Sequence, residues 1–502
     1  MLTPTAELLL PIALFFAALI GAAVFAELRR RQSAGAERGR FADEYFLGSR
    51  SLKGVVLAMS LIATYGSVSS FVSGPGVAWS LGLGWVVFAA PQIIAGFLIL
   101  GLLGKKLALV SRAVGAITVV DVLRARYGSP LLAVLSAASL LVFFAAMMTG
   151  QFIGGAAIFS EAAGISPEAG LAVFGGLVVL YTAWGGFRAV AWTDAVCAVL
   201  MIVGMFMLGE AILSSAGGVE AAIVLAAQAA GPESGFLSPT AGGALPLTLL
   251  FSAWLLVGFG TAGLPQSAVR CMSYRTTGDL HLAMIVSTVI CGALMIGLTT
   301  LGALARSIPD LALDGASTDH LIARLIATHM SPWAAGLTLI GPLAATMSTV
   351  SSLLIAAASA VVKDLAIGCR PALARDEKKL ARLSVATTLV LGCVAAAAAL
   401  NPPDLIAWIN MAAFGGLELV FLLPLGLGLF WRRANAAGAI ASIAAGLSVY
   451  AACLLGKPDI GGLHASVPAM AAAFVVFVAV PFFVKSEPAP NAHCFFARHK
   501  KR

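Results

Sequence analysis

The stretch Ala63-Thr64-Tyr65-Gly66-Ser67-Val68-Ser69-Ser70-Phe71-Val72-Ser73-Gly74-Pro75-Gly76 lies inside an apolar run, residues 54–79, that is long enough to cross a bilayer. It is a poor continuous helix. A glycine costs ~1 kcal/mol in a helix interior and a proline ~3 kcal/mol. Thr64, Tyr65, Ser67, Ser69 and Ser70 put five hydroxyls into the same few residues. Broken backbone at membrane depth is tolerated only where it lines a cavity or is buried in protein. A second run, 245–269, is interrupted in the same manner by Gly258-Phe259-Gly260-Thr261-Ala262-Gly263-Leu264-Pro265-Gln266. A single span of this kind reads equally well as close helix packing through small residues.

The composition says what surrounds these runs. The chain has 502 residues, 60% hydrophobic and 11% charged, against ~45–50% and ~25% in soluble domains. Its mean hydropathy is +0.98, so its solvent is mostly lipid. About 20 apolar residues span a bilayer core. Thirteen runs qualify: 5–27, 54–79, 82–104, 130–158, 166–186, 189–213, 245–269, 281–304, 334–362, 382–400, 404–430, 436–456 and 465–484. The first lacks a basic leader and is followed by Arg29, Arg30 and Arg31, so it reads as a retained helix rather than a cleavable signal.

The formal charge of +8 becomes a topological signal once it is sorted by loop. With the N-terminus outside and thirteen crossings, 28 of the 31 Lys and Arg fall on one face, and only Arg306, Arg324 and Lys457 on the other. By the positive-inside rule that face, with the C-terminus, is cytoplasmic. Arg270 and Arg275 count among its loop residues, which leaves no Arg or Lys at membrane depth. No basic cluster with stacking aromatics suggests nucleic acid. Segment 28–53 is a polar cytoplasmic loop and 214–244 a Gly/Pro-rich external one. In the external segment 305–333, residues 318–326 read as a short amphipathic helix, either a lid or an interfacial helix. The seven cysteines, free of C-x-x-C pairs, read as small buried hydrophobes.

The two interrupted spans each lead a block of five. The expected fold is therefore all-α and polytopic. An extra helix, 5–27, precedes five-helix repeats over 54–213 and 245–430; two C-terminal helices over 436–484 and a tail over 485–502 follow. Paired broken helices in inverted repeats are the sequence pointer to a secondary carrier's binding site. Span 334–362 adds hydroxyls at Ser348, Thr349, Ser351 and Ser352. Neutral hydroxyls and bare carbonyls suit a partly dehydrated alkali cation, although Ser and Thr also bond back to their own helix. Intramembrane acids are costly and usually functional. Asp194 reads as an ion or gate residue or as a plain helix-start charge, and Glu418 as either a structural hydrogen-bonding group or a functional one. Trp192, Trp254 and Trp408 read as interface-belt residues.

With these residues named, the chain resembles the sodium/solute symporter family over nearly its whole length. The family-wide motifs are Glu44-Tyr45-Phe46-Leu47-Gly48-Ser49-Arg50-Ser51-Leu52, Ala183-Trp184-Gly185-Gly186-Phe187-Arg188 with Trp192-Thr193-Asp194, and Met347-Ser348-Thr349. Others resemble the pantothenate branch: Ala63-Thr64-Tyr65 with Ser69-Ser70-Phe71, Gly74-Pro75-Gly76, Gly82-Leu83-Gly84-Trp85, Gly263-Leu264-Pro265, Ala268-Val269-Arg270-Cys271 with Ser273-Tyr274, Phe414-Gly415-Gly416-Leu417-Glu418, and Arg433-Ala434-Asn435. Tyr65 stands where proline symporters carry an aspartate, which argues against proline as the solute.

The resemblance implies an inverted five-plus-five fold of the amino-acid-transporter type, with sodium as the coupling ion. It implies a sodium site at the carbonyls of Ala63, Gly66 and Ala345 and the hydroxyls of Ser348 and Thr349. Some members have a second sodium site, which falls here on Ser351, Ser352 and Asp194. It also implies a small-molecule partner, pantothenate, in the bacterial inner membrane. Polar residues near the breaks are the substrate candidates: Thr64, Tyr65, Ser67, Gln92, Gln151, Thr261 and Asn410. The half-helix N-termini at the breaks are placed to meet a carboxylate. No organic cofactor, enzymatic activity or obligate protein partner is expected. Three other readings stay open: a symporter for another small solute such as a monocarboxylate, a proton-coupled carrier using Asp194 or Glu418, and a receptor or intramembrane enzyme.

Overall fold

The structure is a computed structural model and describes residues 3–33, 45–311, 313, 317–370, 372–373, 376–401, 405–484 and 489–496. Glu44 lies outside that set, as do Arg38, Arg40, Arg375, Lys485, Arg498, Lys500, Lys501 and Arg502 among the 28 basic residues counted on the face read as cytoplasmic. Among the described residues eleven helices are long and apolar enough to cross a membrane, and two bent pairs, each counted as one span, bring the spans to thirteen. In chain order they are α1 (Pro4–Ser33), α2a and α2b (Gly54–Tyr65 and Ser69–Leu81), α3 (Leu83–Val114), α4 (Pro130–Ala163), α5 (Pro167–Phe187) and α6 (Val190–Ala216). There follow α7a and α7b (Leu247–Gly263 and Pro265–Ser273), α8 (Thr277–Ser307), α9 (Pro332–Cys369), α10 (Glu377–Ala398), α11 (Ile406–Phe430), α12 (Ala436–Gly456) and α13 (Ser466–Phe483). The bent pairs are the two interrupted spans, with bends of 64° in α2 and 44° in α7. The chain is a multi-pass, all-helical membrane protein.

Local chemistry makes each break. Past Tyr65 the backbone of Gly66 turns extended, at φ −68° and ψ 112°. Nearby side chains then take the amides that would continue the helix. Ser67 N–H donates to Ser70 Oγ, Ser69 N–H to Ser67 Oγ, and Val68 N–H to Gln151 Oε1 on α4 at 3.0 Å. This is the competition by which short hydroxyl side chains weaken helix interiors. In α7, Leu264 is extended, at φ −74° and ψ 118°, as steric pressure from the following proline requires. Pro265 then opens α7b, where its missing N–H costs nothing.

A third irregularity separates α5 from α6. Gly186 adopts φ 63° and ψ 175°, a region essentially reserved for glycine. A Cβ there would stand 2.9 Å from the Tyr45 ring. The motif Ala183-Trp184-Gly185-Gly186 is thus a kink sealed by the loop motif around Tyr45, whose hydroxyl donates to Ala183 O.

Among the unbroken spans α9 and α11 are the most buried and α10 and α13 the least. α9 packs along α5–α6, α4 and α1, while α11 packs on α4 and the α7 break. On the face where the basic loops gather, arginines cap helix ends, where carbonyls lack donors. Arg50 donates to Ala116 O at 2.7 Å, and Arg126 to Gly428 O and Trp431 O at 2.7 and 2.9 Å. The starts of α2 and α8 and the end of α7 are tied together on the same face. Leu52 N–H donates to Ser273 O, Arg275 N–H to Leu52 O, and Gly54 N–H to Asp279 Oδ1.

Four expectations need correction. Segment 214–244 holds a helix, Val219–Ala230, rather than plain loop. Residues 318–326 are helical, but Leu321, Ile322, Leu325 and Ile326 are buried in protein rather than laid on a lipid interface. This segment is tied down by Asp319, which accepts from Ile406 N–H at the start of α11. Trp192 and Trp254 are exposed as a belt residue would be, yet Trp408 is not: it meets Trp85 edge-on at 5.8 Å. Among the cysteines only Cys197, Cys271 and Cys291 are buried, while Cys369 and Cys393 are exposed.

Candidate ion and solute site

The break in α2 frees two carbonyls. The amides of Ser67, Val68 and Ser69 bond side chains, and those of Ser70 and Phe71 turn to Ser67 O. The helical donors of Ala63 O and Gly66 O have thereby been redirected. Helix α9 faces these oxygens with its hydroxyls. Ser348 Oγ lies 2.8 Å from Ala63 O and 3.1 Å from Ala345 O; Thr349 Oγ1 lies 3.3 Å from Gly66 O and 2.9 Å from Ala345 O. Three carbonyls therefore share two hydroxyl protons, since each hydroxyl donates once. All five residues are buried, and no carboxylate belongs to the group. A cluster rich in neutral oxygens and short of protons is chemically fit for a small monovalent cation.

The other ionic set is arranged differently. Asp194 Oδ2 accepts from Arg270 Nη2 at 3.1 Å and from Ser60 Oγ at 3.1 Å. Ser352 Oγ accepts from the same Nη2 at 2.8 Å, and Ser351 Oγ donates back to Ser348 O on its own helix. Arg270 is not a loop residue: it sits within α7b and is 1% exposed. The expectation that no cationic side chain lies at depth is corrected by this pair, because Asp194 lends Arg270 the counter-charge that makes its burial affordable.

Beside the α2 break, toward the face opposite the basic loops, is a cavity of about 70 Å³ lined by α2, α3, α7, α8 and α11. Of the seven substrate candidates, Tyr65, Ser67, Gln92 and Asn410 line it. Tyr65 Oη donates to Val257 O of α7 at 3.0 Å, so one side chain joins the two breaks. Asn410 donates to Ser69 Oγ and leaves its Oδ1 without a partner. The other three candidates are elsewhere. Thr64 bonds Ser60 O and meets Ser352 Oγ at 3.3 Å, toward Arg270. Thr261 bonds Gly258 O within the α7 break, and Gln151 caps Val68 while its Nε2 stays unpartnered.

Sequence reasoning missed the aromatic residues of the cavity: Trp85 stacked on Phe88 at 4.4 Å, with Phe414 in the same lining. The Gly82-Leu83-Gly84-Trp85 motif was the available signal. Glu418 is fully buried with both carboxyl oxygens unpartnered, and a Cβ on Gly260 would stand 2.3 Å from Oε2. Its carboxyl therefore abuts the α7 break without the structural hydrogen bond that was one of its two readings.

Comparison with known proteins agrees with this architecture. The family model for the sodium:solute symporter family matches residues 45–446. The sodium/pantothenate symporter of Escherichia coli (strain K12) is 42% identical over 96% of this chain and 98% of its own length. That of Haemophilus influenzae (strain ATCC 51907 / DSM 11121 / KW20 / Rd) is 39% identical over 94% and 95%. In fold, the chain is similar to a Na+-coupled sialic acid symporter solved in a substrate-bound outward-open state, with a TM-score of 0.80 at 19% identity over 97% of this chain and 99% of that one. The chain belongs to the sodium:solute symporter family.

Proposed function

We propose that this protein imports pantothenate, driven by the inward sodium gradient, with sodium held by the carbonyls of Ala63, Gly66 and Ala345 and the hydroxyls of Ser348 and Thr349. The carrying observation is the convergence of those five oxygens between the α2 break and α9. The relatives that share about two-fifths of its residues and nearly all of its length support pantothenate as the solute. The bilayer is the medium, and the inner membrane, with the N-terminus outside and the C-terminus cytoplasmic, is the orientation that the basic loops favour.

Coupling requires that ion and solute each favour the same conformational state by differential affinity. Gly66 carries an ion ligand, and its neighbours Tyr65 and Ser67 line the cavity. Sodium that pulls Gly66 and Ala63 toward α9 therefore sets the wall on which the solute docks. The cavity lining holds no Lys or Arg, so the solute's carboxylate is assigned to the positive end of the α2b dipole. Its hydroxyls and amide fall to Tyr65, Ser67, Gln92 and Asn410, and its carbon skeleton to Trp85 and Phe88. A cavity of about 70 Å³ is well below the ~300 Å³ at which small-molecule pockets begin, so loading requires the lining helices to part. The test is the double variant Ser348→Ala, Thr349→Ala in proteoliposomes. Loss of the sodium dependence of pantothenate uptake is expected; unchanged sodium dependence would show the ion site to be misassigned.

A further inference from the structure

The Arg270 guanidinium is held at every nitrogen. Nε faces Ser60 O and Ser60 Oγ at 3.3 and 3.2 Å, Nη1 donates to Gln266 O at 2.8 Å, and Nη2 donates to Asp194 Oδ2 and Ser352 Oγ at 3.1 and 2.8 Å. Its carbon lies 5.7 Å from the Phe187 ring centroid. The side chains of Arg270 and Asp194 are 2% and 0% exposed. One cation thereby ties four helices, α2a, α6, α7b and α9, just to the basic-face side of the five-oxygen cluster.

The partners matter more than the burial. An anionic oxygen of Asp194 and a hydroxyl of Ser352, with Ser60 alongside, form the kind of oxygen set that holds a small cation, and they converge on a positive charge the chain itself supplies. Ser351, the remaining member of the expected second ion set, faces its own helix. We propose that Arg270 is a tethered cation occupying the place of a second coupling ion, so that the protein binds and moves a single sodium per solute. The proposal rests on the sodium-coupled reading above and adds its stoichiometry. A further consequence is electrical. Pantothenate is a monoanion, so one sodium per solute moves no net charge, and the membrane potential neither drives nor opposes import.

The test uses the purified full-length protein. Saturable binding of radioactive sodium is counted per chain, and pantothenate accumulation in proteoliposomes is compared with and without an inside-negative potassium diffusion potential. One sodium per chain, non-sigmoidal sodium dependence and accumulation indifferent to the potential are expected. Two sodium ions per chain, or a potential of ~100 mV raising accumulation about 50-fold as one net charge would, would overturn the inference. No saturable sodium binding would instead defeat the ion-site reading on which the inference rests. In Arg270→Ala the vacated set is expected to take a second sodium and to make uptake respond to the potential. A folded Arg270→Ala protein that still binds one sodium and ignores the potential would also overturn it; where that variant does not fold, the wild-type count decides.

Discussion

Ser348 and Thr349 lie side by side in sequence and reach different carbonyls of the α2 break, one that of Ala63 and the other that of Gly66. Removing either hydroxyl takes one oxygen from five and leaves the carbonyls in place. A hydrogen-bonding or ligand contact to a charged species contributes ~1.5–3 kcal/mol, so each single alanine variant is expected to raise the sodium concentration for half-maximal uptake about 10- to 100-fold. Thr349→Ser keeps the oxygen and should stay near wild type. Sodium titrations of uptake check this; an alanine variant indistinguishable from wild type would remove that hydroxyl from the site. That these two hydroxyls cluster was legible because hydroxyl density in an apolar run is conspicuous; their contact with the α2 break is what the structure adds. Arg270 was misread because it follows directly on an apolar run, and the acid that lets it be buried lies 76 residues away. Pairings of that range leave no trace in local hydropathy. The same applies to Thr64 and Thr261, whose hydroxyls are satisfied within the bundle rather than in the cavity.

At the scale of the helix, each interruption has a stated chemical cause: competing hydroxyls in α2, a pre-proline residue in α7 and a glycine-only turn between α5 and α6. The first two were legible as glycine, proline and hydroxyl clusters. The third was legible only as a boundary, since its geometry depends on the Tyr45 ring packed against it. Gly186→Ala therefore meets both an unfavourable backbone region and a ring at 2.9 Å. A loss of ~1–3 kcal/mol of stability is expected, read as a lowered thermal transition of the purified protein. An unchanged transition would show that the turn relaxes freely. Helix Val219–Ala230 was not legible: Gly217, Gly218 and Gly231 bracket it, and glycines at that density read as loop composition. The burial of Leu321–His329 was hidden for a different reason, because an amphipathic pattern does not say whether protein or lipid covers the apolar face.

For the molecule as a whole, the most informative sequence feature was the distribution of charge. The structure gathers the described basic loop residues Lys53, Arg112 and Arg275 around the joined ends of α2, α7 and α8. Single cysteines placed at Lys53 and Lys378 in a background lacking the native ones are expected to resist a membrane-impermeant thiol reagent in intact cells, while one at Lys457 reacts. The reverse pattern would invert the proposed orientation. Thirteen crossings, two breaks and one ion cluster together amount to a claim about energy coupling. The most direct measurement is uptake of labelled pantothenate by the purified protein in proteoliposomes, with and without an inward sodium gradient. The expected result is transient accumulation above equilibrium that requires sodium and collapses when the gradient is dissipated. Uptake that merely equilibrates, or that follows a proton gradient in the absence of sodium, would contradict the account.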